Sequence, residues 1–297
     1  MSLSIRPLRS LGLLCLVLLV AGGPLAAESP NGTATSPSVS TLEAASPFVA
    51  LPAAYAEALV SVRFLLAVNM PGVNQESDRE IDCLVVDSQG LLLCSDSQLG
   101  GFYSVLARLV GRDGHPISAR SRDLKVEVSG ASGRTEEWGA HLIARDSDRD
   151  LAWVQLDDVP EDRRFTAVDF SAGVVPAVGD TIYVLRRLGN FFQSPTVVSE
   201  LRIAAHLSRP RPLYFMSRPL GHLGMPAFDS TGRPIGLTVT QVPRQGEGDG
   251  GTPRGLPGQA GPTEDMVGSL ILPADEIVKA TQLARETWAA DQAEQVP

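Results

Sequence analysis

Short apolar segments with period-2 alternation recur along this chain, separated by turn residues, and this rhythm limits it to a β architecture. Ala58 to Asn69 reads as a first long strand, Ile81 to Val86 and Leu91 to Cys94 as a hairpin, and Leu124 to Ser129, Trp138 to Ala144 and Leu151 to Leu156 as three more strands. Six such strands suffice for one small closed barrel. Beyond the polar connector Pro160 to Arg164, a similar set follows: Phe165 to Phe170, Thr181 to Leu185, Thr196 to Ala205, Pro212 to Ser217, Met225 to Phe228, Arg233 to Thr240 and Gly268 to Leu272. The repeat of the count implies an all-β chain of two six-stranded antiparallel β-barrels, the first over about 58–158 and the second over about 165–272. A helical turn is expected at Ala53 to Glu57. A C-terminal helix is expected from Ala274 to Ala290, with Ile277, Ala280, Thr281, Ala284 and Trp288 on one face.

The ends and the interruptions are of other kinds. Residues 1–27 combine Arg6 and Arg9 with an apolar run from Leu11 to Ala21, then Gly22-Gly23-Pro24 and Leu25-Ala26-Ala27, the three-part layout of a secretory signal peptide. The run is shorter than the roughly 18 residues of a membrane span. Cleavage after Ala27 is expected, with an uncleaved anchor as the alternative, and Cys15 belongs to the apolar run. Residues 28–52 are rich in Ser, Thr, Ala and Pro and read as a disordered tether that precedes a domain spanning 53–292. Asn31-Gly32-Thr33 matches a glycosylation sequon by chance. Gly100 to Asp123 is long and partly apolar, a candidate for a short amphipathic helix, and 241–266 is a Gly/Pro-rich mobile loop.

Signal cleavage would remove two of the 25 basic residues and none of the 34 acidic ones, making the chain more acidic than its formal −9. That balance argues against a nucleic-acid partner. The mature chain is expected to be secreted, periplasmic or associated with the cell envelope, without a stable membrane span. Cys83 and Cys94 flank the turn Asp87-Ser88-Gln89-Gly90. With a two-residue loop they face each other and form either a cross-strand disulfide or two buried thiols. Their spacing matches no metal motif, His115, His141 and His206 are scattered as surface or strand histidines, and neither a metal nor a cofactor is expected.

Gly221-His222-Leu223-Gly224-Met225-Pro226 is a glycine-bounded loop that leads into the hairpin around Asp229-Ser230-Thr231-Gly232. It resembles the Gly-Asn-Ser-Gly-Gly-Pro nucleophile loop of trypsin-like serine proteases, in particular the HtrA (Deg) branch, with Leu223 at the serine. Three further stretches resemble that branch, in its order. Cys83 to Ser97 is similar to the hairpin that ends at the catalytic histidine and places Ser97 there, or Asp96 after a one-residue slip. His141 to Val154 is similar to Val-x-x-Asp-x-x-x-Asp-Leu-Ala-Val-Leu and places Asp150 at the triad aspartate. Ala177 to Leu185 is similar to the segment that opens the second barrel, followed by Gly189-Asn190.

The resemblance implies a trypsin-like two-barrel domain with a degenerate triad at Ser97, Asp150 and Leu223. It also implies an oxyanion-like loop at Gly221, His222 and Leu223, which Met225 distorts at the family's second glycine. The family's C-terminal PDZ domain is not expected after the helix. Serine protease chemistry needs a hydroxyl, an imidazole to take its proton and a carboxylate to orient the imidazole. Here the carboxylate alone remains, so the implied role is an inactive protease homologue that binds a protein or peptide partner. Two other readings stay open: a hydrolase with an unorthodox nucleophile such as Ser95 or Ser97, and a structural envelope protein using the barrels as a platform. An exchanged Ser97/His222 pair is weighed against a solvated His222. A calcium site at Asp146, Asp148 and Asp150 is weighed against simple turn residues.

Overall fold

The computed structural model describes residues 46–70, 72–103, 117–129, 135–241 and 270–295. The expected signal peptide, the sequon, residues 28–45 of the expected tether, the centre of the 100–123 segment and nearly all of the 241–266 segment lie outside the described residues.

Helix α1 (Pro47–Tyr55) begins the described chain, so the tether expected to reach residue 52 gives way earlier, and the helical turn begins before Ala53. Pro47 stands in the first helical turn, where its missing N–H costs nothing. Leu51 is buried, and the Tyr55 ring stacks on Phe228 with centroids 4.8 Å apart. These contacts seat α1 on the second barrel.

The first barrel contains β1 (Leu59–Met70), β2 (Val73–Val85), β3 (Leu91–Cys94), β4 (Ser118–Ser129), β5 (Thr135–Asp146) and β6 (Leu151–Leu156). It closes in the order β1-β2-β3-β6-β5-β4. The second contains β7 (Thr181–Arg187), β8 (Thr196–Leu207), β9 (Leu213–Met216), β10 (Pro226–Phe228), β11 (Pro234–Val239) and β12 (Leu270–Pro273), and it repeats the same order six strands later. All pairings are antiparallel. Two closed six-stranded antiparallel barrels followed by a C-terminal helix are the architecture expected from the sequence. Closure removes the exposed sheet edges that a chain so rich in strands would otherwise present.

Each barrel is filled by one face of its strands. In β1, Val60, Val62, Phe64, Leu66 and Val68 are buried while Arg63 between them is exposed. Burying one such side chain stabilises by about 1.5–3 kcal/mol before entropy is subtracted.

Three expectations are corrected. Phe165 to Phe170 is no strand: Phe165 N and Val168 N donate to Ser88 O (3.1 Å) and Val85 O (3.0 Å), and a 3₁₀ turn follows at Phe170–Ala172. Its apolar residues are buried as anchors of the connector between barrels rather than as one face of a sheet. β2 starts at Val73 and β4 at Ser118, well before the apolar cores that announced them. Both extensions pair with the far half of β1, Asn69 facing Asn74 on one side and Ser118 on the other. These residues are largely exposed, so hydrogen bonding to β1 holds them and no hydrophobic pattern marks them.

Helix α2 (Ala274–Gln295) packs Ile277, Ala280 and Ala284 inward and receives a bond from Trp153 of β6, Nε1 to Thr281 Oγ1 at 3.0 Å. Arg149 of the first barrel pairs with Glu276, and Arg285 with Asp87. The helix starts directly from β12, so it ties the second barrel to the first. No helix among the described residues is long and apolar enough to cross a membrane.

Candidate functional site

The tight turn between β5 and β6 sets up the centre of the site. Asp146 Oδ1 accepts from the backbone N–H of Asp148 (3.1 Å) and Arg149 (3.0 Å), the turn chemistry that a short polar side chain supplies. Asp150 then takes a left-handed conformation, φ 60°, which is uncommon for a residue with a side chain. The turn drives its carboxylate inward, where it is 3% exposed.

That carboxylate is held from both barrels. Oδ1 accepts from Ser97 N at 2.8 Å and from Ser95 Oγ at 3.0 Å, and Oδ2 accepts from Thr240 N at 2.9 Å, just beyond β11. The Ser95 and Ser97 hydroxyls are themselves 2.9 Å apart. Burial pushes the Asp150 carboxyl above its ordinary range, against the opposing pull of the bonds from Ser97, Thr240 and Ser95. Ser97 and Asp150 thus meet directly.

Asp96 points elsewhere: it is 1% exposed and binds Arg145 Nη1 at 2.7 Å, while Arg145 Nη2 donates to Leu99 O and Ser121 Oγ. Gly101 permits this, since a Cβ there would lie 2.0 Å from Asp96 Oδ2. Asp96 therefore serves an ion pair under the loop, and Ser97 is the residue that reaches the Asp150 carboxylate.

The Gly221 to Pro226 loop meets the first barrel through Gly224, where a Cβ would stand 3.3 Å from Ser95 N and 3.7 Å from Asp82 O. Gly221 and Gly224 both have positive φ, 71° and 75°. The loop is fastened to β11 by Gly224 N to Thr238 O (2.7 Å), Thr238 N to Met225 O (2.8 Å) and Met225 N to Thr238 Oγ1 (2.9 Å). Met225 fills the core at 1% exposure, so the bulk at this position is accommodated inward. Leu223 is half-buried beside Gly224 and offers only carbon to the seam.

His222 does not join Ser97. Its Nε2 lies 2.9 Å from Arg186 Nη1, and because a guanidinium only donates, Nε2 accepts and the proton sits on Nδ1. Burial, and then the Arg186 charge, lower its pKa below the usual histidine value. His141 binds Asp157 at 2.6 Å against the Trp288 ring, His206 lies over Tyr214, and His115 is outside the described residues.

Asp146, Asp148 and Asp150 do not converge: Asp146 caps its turn and binds Arg149, while Asp150 faces the seam. Among the described residues no three potential ligands gather into a metal centre. Cys83 and Cys94, both fully buried, are joined by a disulfide with Cα atoms 4.6 Å apart, the spacing of a facing non-hydrogen-bonded pair in the β2–β3 ladder.

Sequence reasoning missed Thr240 as a partner of Asp150, and Arg186 as a partner of His222. Thr240 acts through its backbone N–H, for which residue type gives no signal. Arg186 lies 36 residues from His222, and no local pattern joins them.

No family model matches the chain, and no curated protein sequence matches it. Among solved structures it is similar to Deg5, with 16% identity over 78% of this chain and 90% of that one and a TM-score of 0.48. It is also similar to the apo MamO protease domain of Magnetospirillum magneticum, with 13% identity over 76% of this chain and 97% of that one and a TM-score of 0.44.

Proposed function

We propose that this chain is an exported homologue of the HtrA-like serine proteases that has lost catalysis and acts by binding polypeptide at the seam between its barrels. The observation that carries the reading is the set of partners of the Asp150 carboxylate. It accepts from Ser95 Oγ, Ser97 N and Thr240 N, and no described histidine approaches it. Without an imidazole, neither Ser95 nor Ser97 has a base to accept its proton near neutral pH. Leu223 has no atom that can be acylated. The loop around it nevertheless keeps its glycine frame and its bonds to β11, which supports retention for shape.

A fluorophosphonate probe applied to the purified mature protein tests the loss of catalysis. No serine is expected to be labelled, in the wild type or in Leu223→Ser, because restoring the hydroxyl leaves the base missing. Specific labelling of Ser95, Ser97 or any other serine of the wild type would overturn the reading in favour of a working hydrolase. Capture of a defined envelope protein by the wild type, with loss of capture when the Gly221–Leu223 loop is altered, distinguishes a binding role from a passive platform.

A further inference from the structure

The hairpin of β7 and β8 carries the most exposed aromatic side chains among the described residues. A 3₁₀ turn at Asn190–Phe192 crosses its tip, with Phe191 90% and Phe192 60% exposed and the two rings edge to face, centroids 5.0 Å apart. The loop is fixed at its foot and at its turn: Leu188 N donates to Pro195 O (3.0 Å) and Phe192 N to Gly189 O (2.9 Å). Gln193 and Ser194 then take left-handed conformations, φ 63° and 51°, which are uncommon away from glycine. Two adjacent phenylalanine rings held in water by a defined loop mark a surface for interaction outside the chain.

The composition and size of the tip identify the kind of surface. From Leu188 to Ser199 the chain contains no Asp, Glu, Lys or Arg, although a fifth of its residues are charged. The arginines at the foot of the loop serve the body of the protein, Arg186 through its bond to His222 and Arg187 through the charges of Asp82 and Glu127. Charges are costly in the apolar part of a bilayer, and aromatic rings settle at its interface with water. At about 200 Å² for a whole phenylalanine side chain, the two rings expose about 300 Å². A stable protein–protein interface takes about 800 Å² from each partner, with a polar rim around it. The uncharged tip falls well short of that, whereas a bilayer interface demands no matching shape.

We propose that the Phe191–Phe192 tip is a lipid-surface anchor that inserts both rings into the interface of an electrically neutral bilayer. The net charge of −9 gives the protein no general attraction to an anionic surface, so apolar burial drives the association. One small wedge of this kind holds weakly and reversibly. The foot of the same hairpin bonds to His222, so attachment keeps the Gly221–Leu223 loop close to the bilayer.

Flotation of the purified mature protein with phosphatidylcholine vesicles tests the anchor. The wild type is expected to float with the vesicles to the same extent at about 0.1 M and about 0.5 M salt, since charge-driven association alone would weaken. Phe191→Ser or Phe192→Ser should lower the partition severalfold, and the double variant at least about tenfold, the scale of losing one buried apolar side chain. Both side chains are exposed, so these variants should keep the wild-type unfolding midpoint. Val175→Ser removes an exposed apolar side chain outside the tip and should float like the wild type. In Phe192→Trp the new indole should shift its emission to the blue on addition of vesicles and be quenched by brominated phosphatidylcholine.

A wild type that stays in the bulk solution, a partition unchanged in the double variant, or an indole at 192 that brominated lipid does not quench overturns the proposal. Sedimentation equilibrium showing wild-type oligomers that the double variant dissolves also overturns it, and assigns the tip to a second copy of the chain.

Discussion

Asp150 and Thr240 join the two barrels: the carboxylate Oδ2 of the first accepts the backbone N–H of the second at 2.9 Å, across 90 positions of sequence. The other oxygen holds the end of β3 through Ser97 N and Ser95 Oγ. Asp150 thereby acts as an inter-barrel tie.

Removing that tie strands buried donors. Asp150→Ala leaves Ser97 N and Thr240 N without acceptors, and each unmatched buried donor costs about 1–3 kcal/mol. Asp150→Asn keeps one acceptor and turns an N–H₂ toward a donor. Equilibrium urea unfolding should show a loss of about 2–5 kcal/mol for Ala and a smaller loss for Asn. An Ala variant within 0.5 kcal/mol of wild type, a shift of the size usual for neutral surface changes, would remove the tie from consideration.

The His222–Arg186 bond predicts a pH dependence of stability. The folded-state pKa of His222 lies below its unfolded value, so the unfolded chain takes up a proton first as pH falls. Its contribution is fully present above about pH 6.5 and is lost below it, by up to about 1.4 kcal/mol per pH unit, until the folded-state pKa is reached. His222→Gln can still accept from Arg186 and does not titrate. Chemical denaturation between pH 5 and 7.5 should therefore give a flatter profile for the variant, and identical slopes would refute the assignment.

The Cys83–Cys94 disulfide closes a short loop, with a sequence separation of 11. Loop-closure entropy for such a span corresponds to about 3 kcal/mol, model-dependent but of that order. The double variant Cys83→Ala/Cys94→Ala should unfold at correspondingly lower denaturant than the oxidised protein. Wild type in strong reductant should shift in the same direction.

The Trp153–Thr281 bond holds α2 against β6. Thr281→Val keeps the shape and deletes the acceptor, leaving a buried indole N–H unmatched at about 1–3 kcal/mol. Hydrogen exchange should then rise first along α2. Thr281→Ser retains the hydroxyl and should exchange like the wild type.

Much of the fold was legible because a barrel strand with one buried face writes its own period into the sequence. β1 carries that pattern in its buried residues, while β6 and β11 are short apolar runs buried at nearly every position. It misled where burial and pairing part company. Phe165, Val168 and Phe170 are buried like a strand, yet Phe165 and Val168 donate to the β2–β3 hairpin and Phe170 opens a 3₁₀ turn, whereas the exposed starts of β2 and β4 are strands without an apolar face.

The site divides along the same line. Residue identity alone determined that position 223 carries no hydroxyl, that position 97 carries no imidazole, and that an aspartate follows the β5–β6 turn at 150. Only the tertiary structure decided what these residues do instead. Thr240 reaches Asp150 from the second barrel, Gly224 closes on Ser95, and Arg186 claims His222. Side-chain chemistry is a property of single residues and can be read along the chain. A hydrogen bond between residues far apart in sequence exists only after both barrels have closed and brought their partners together.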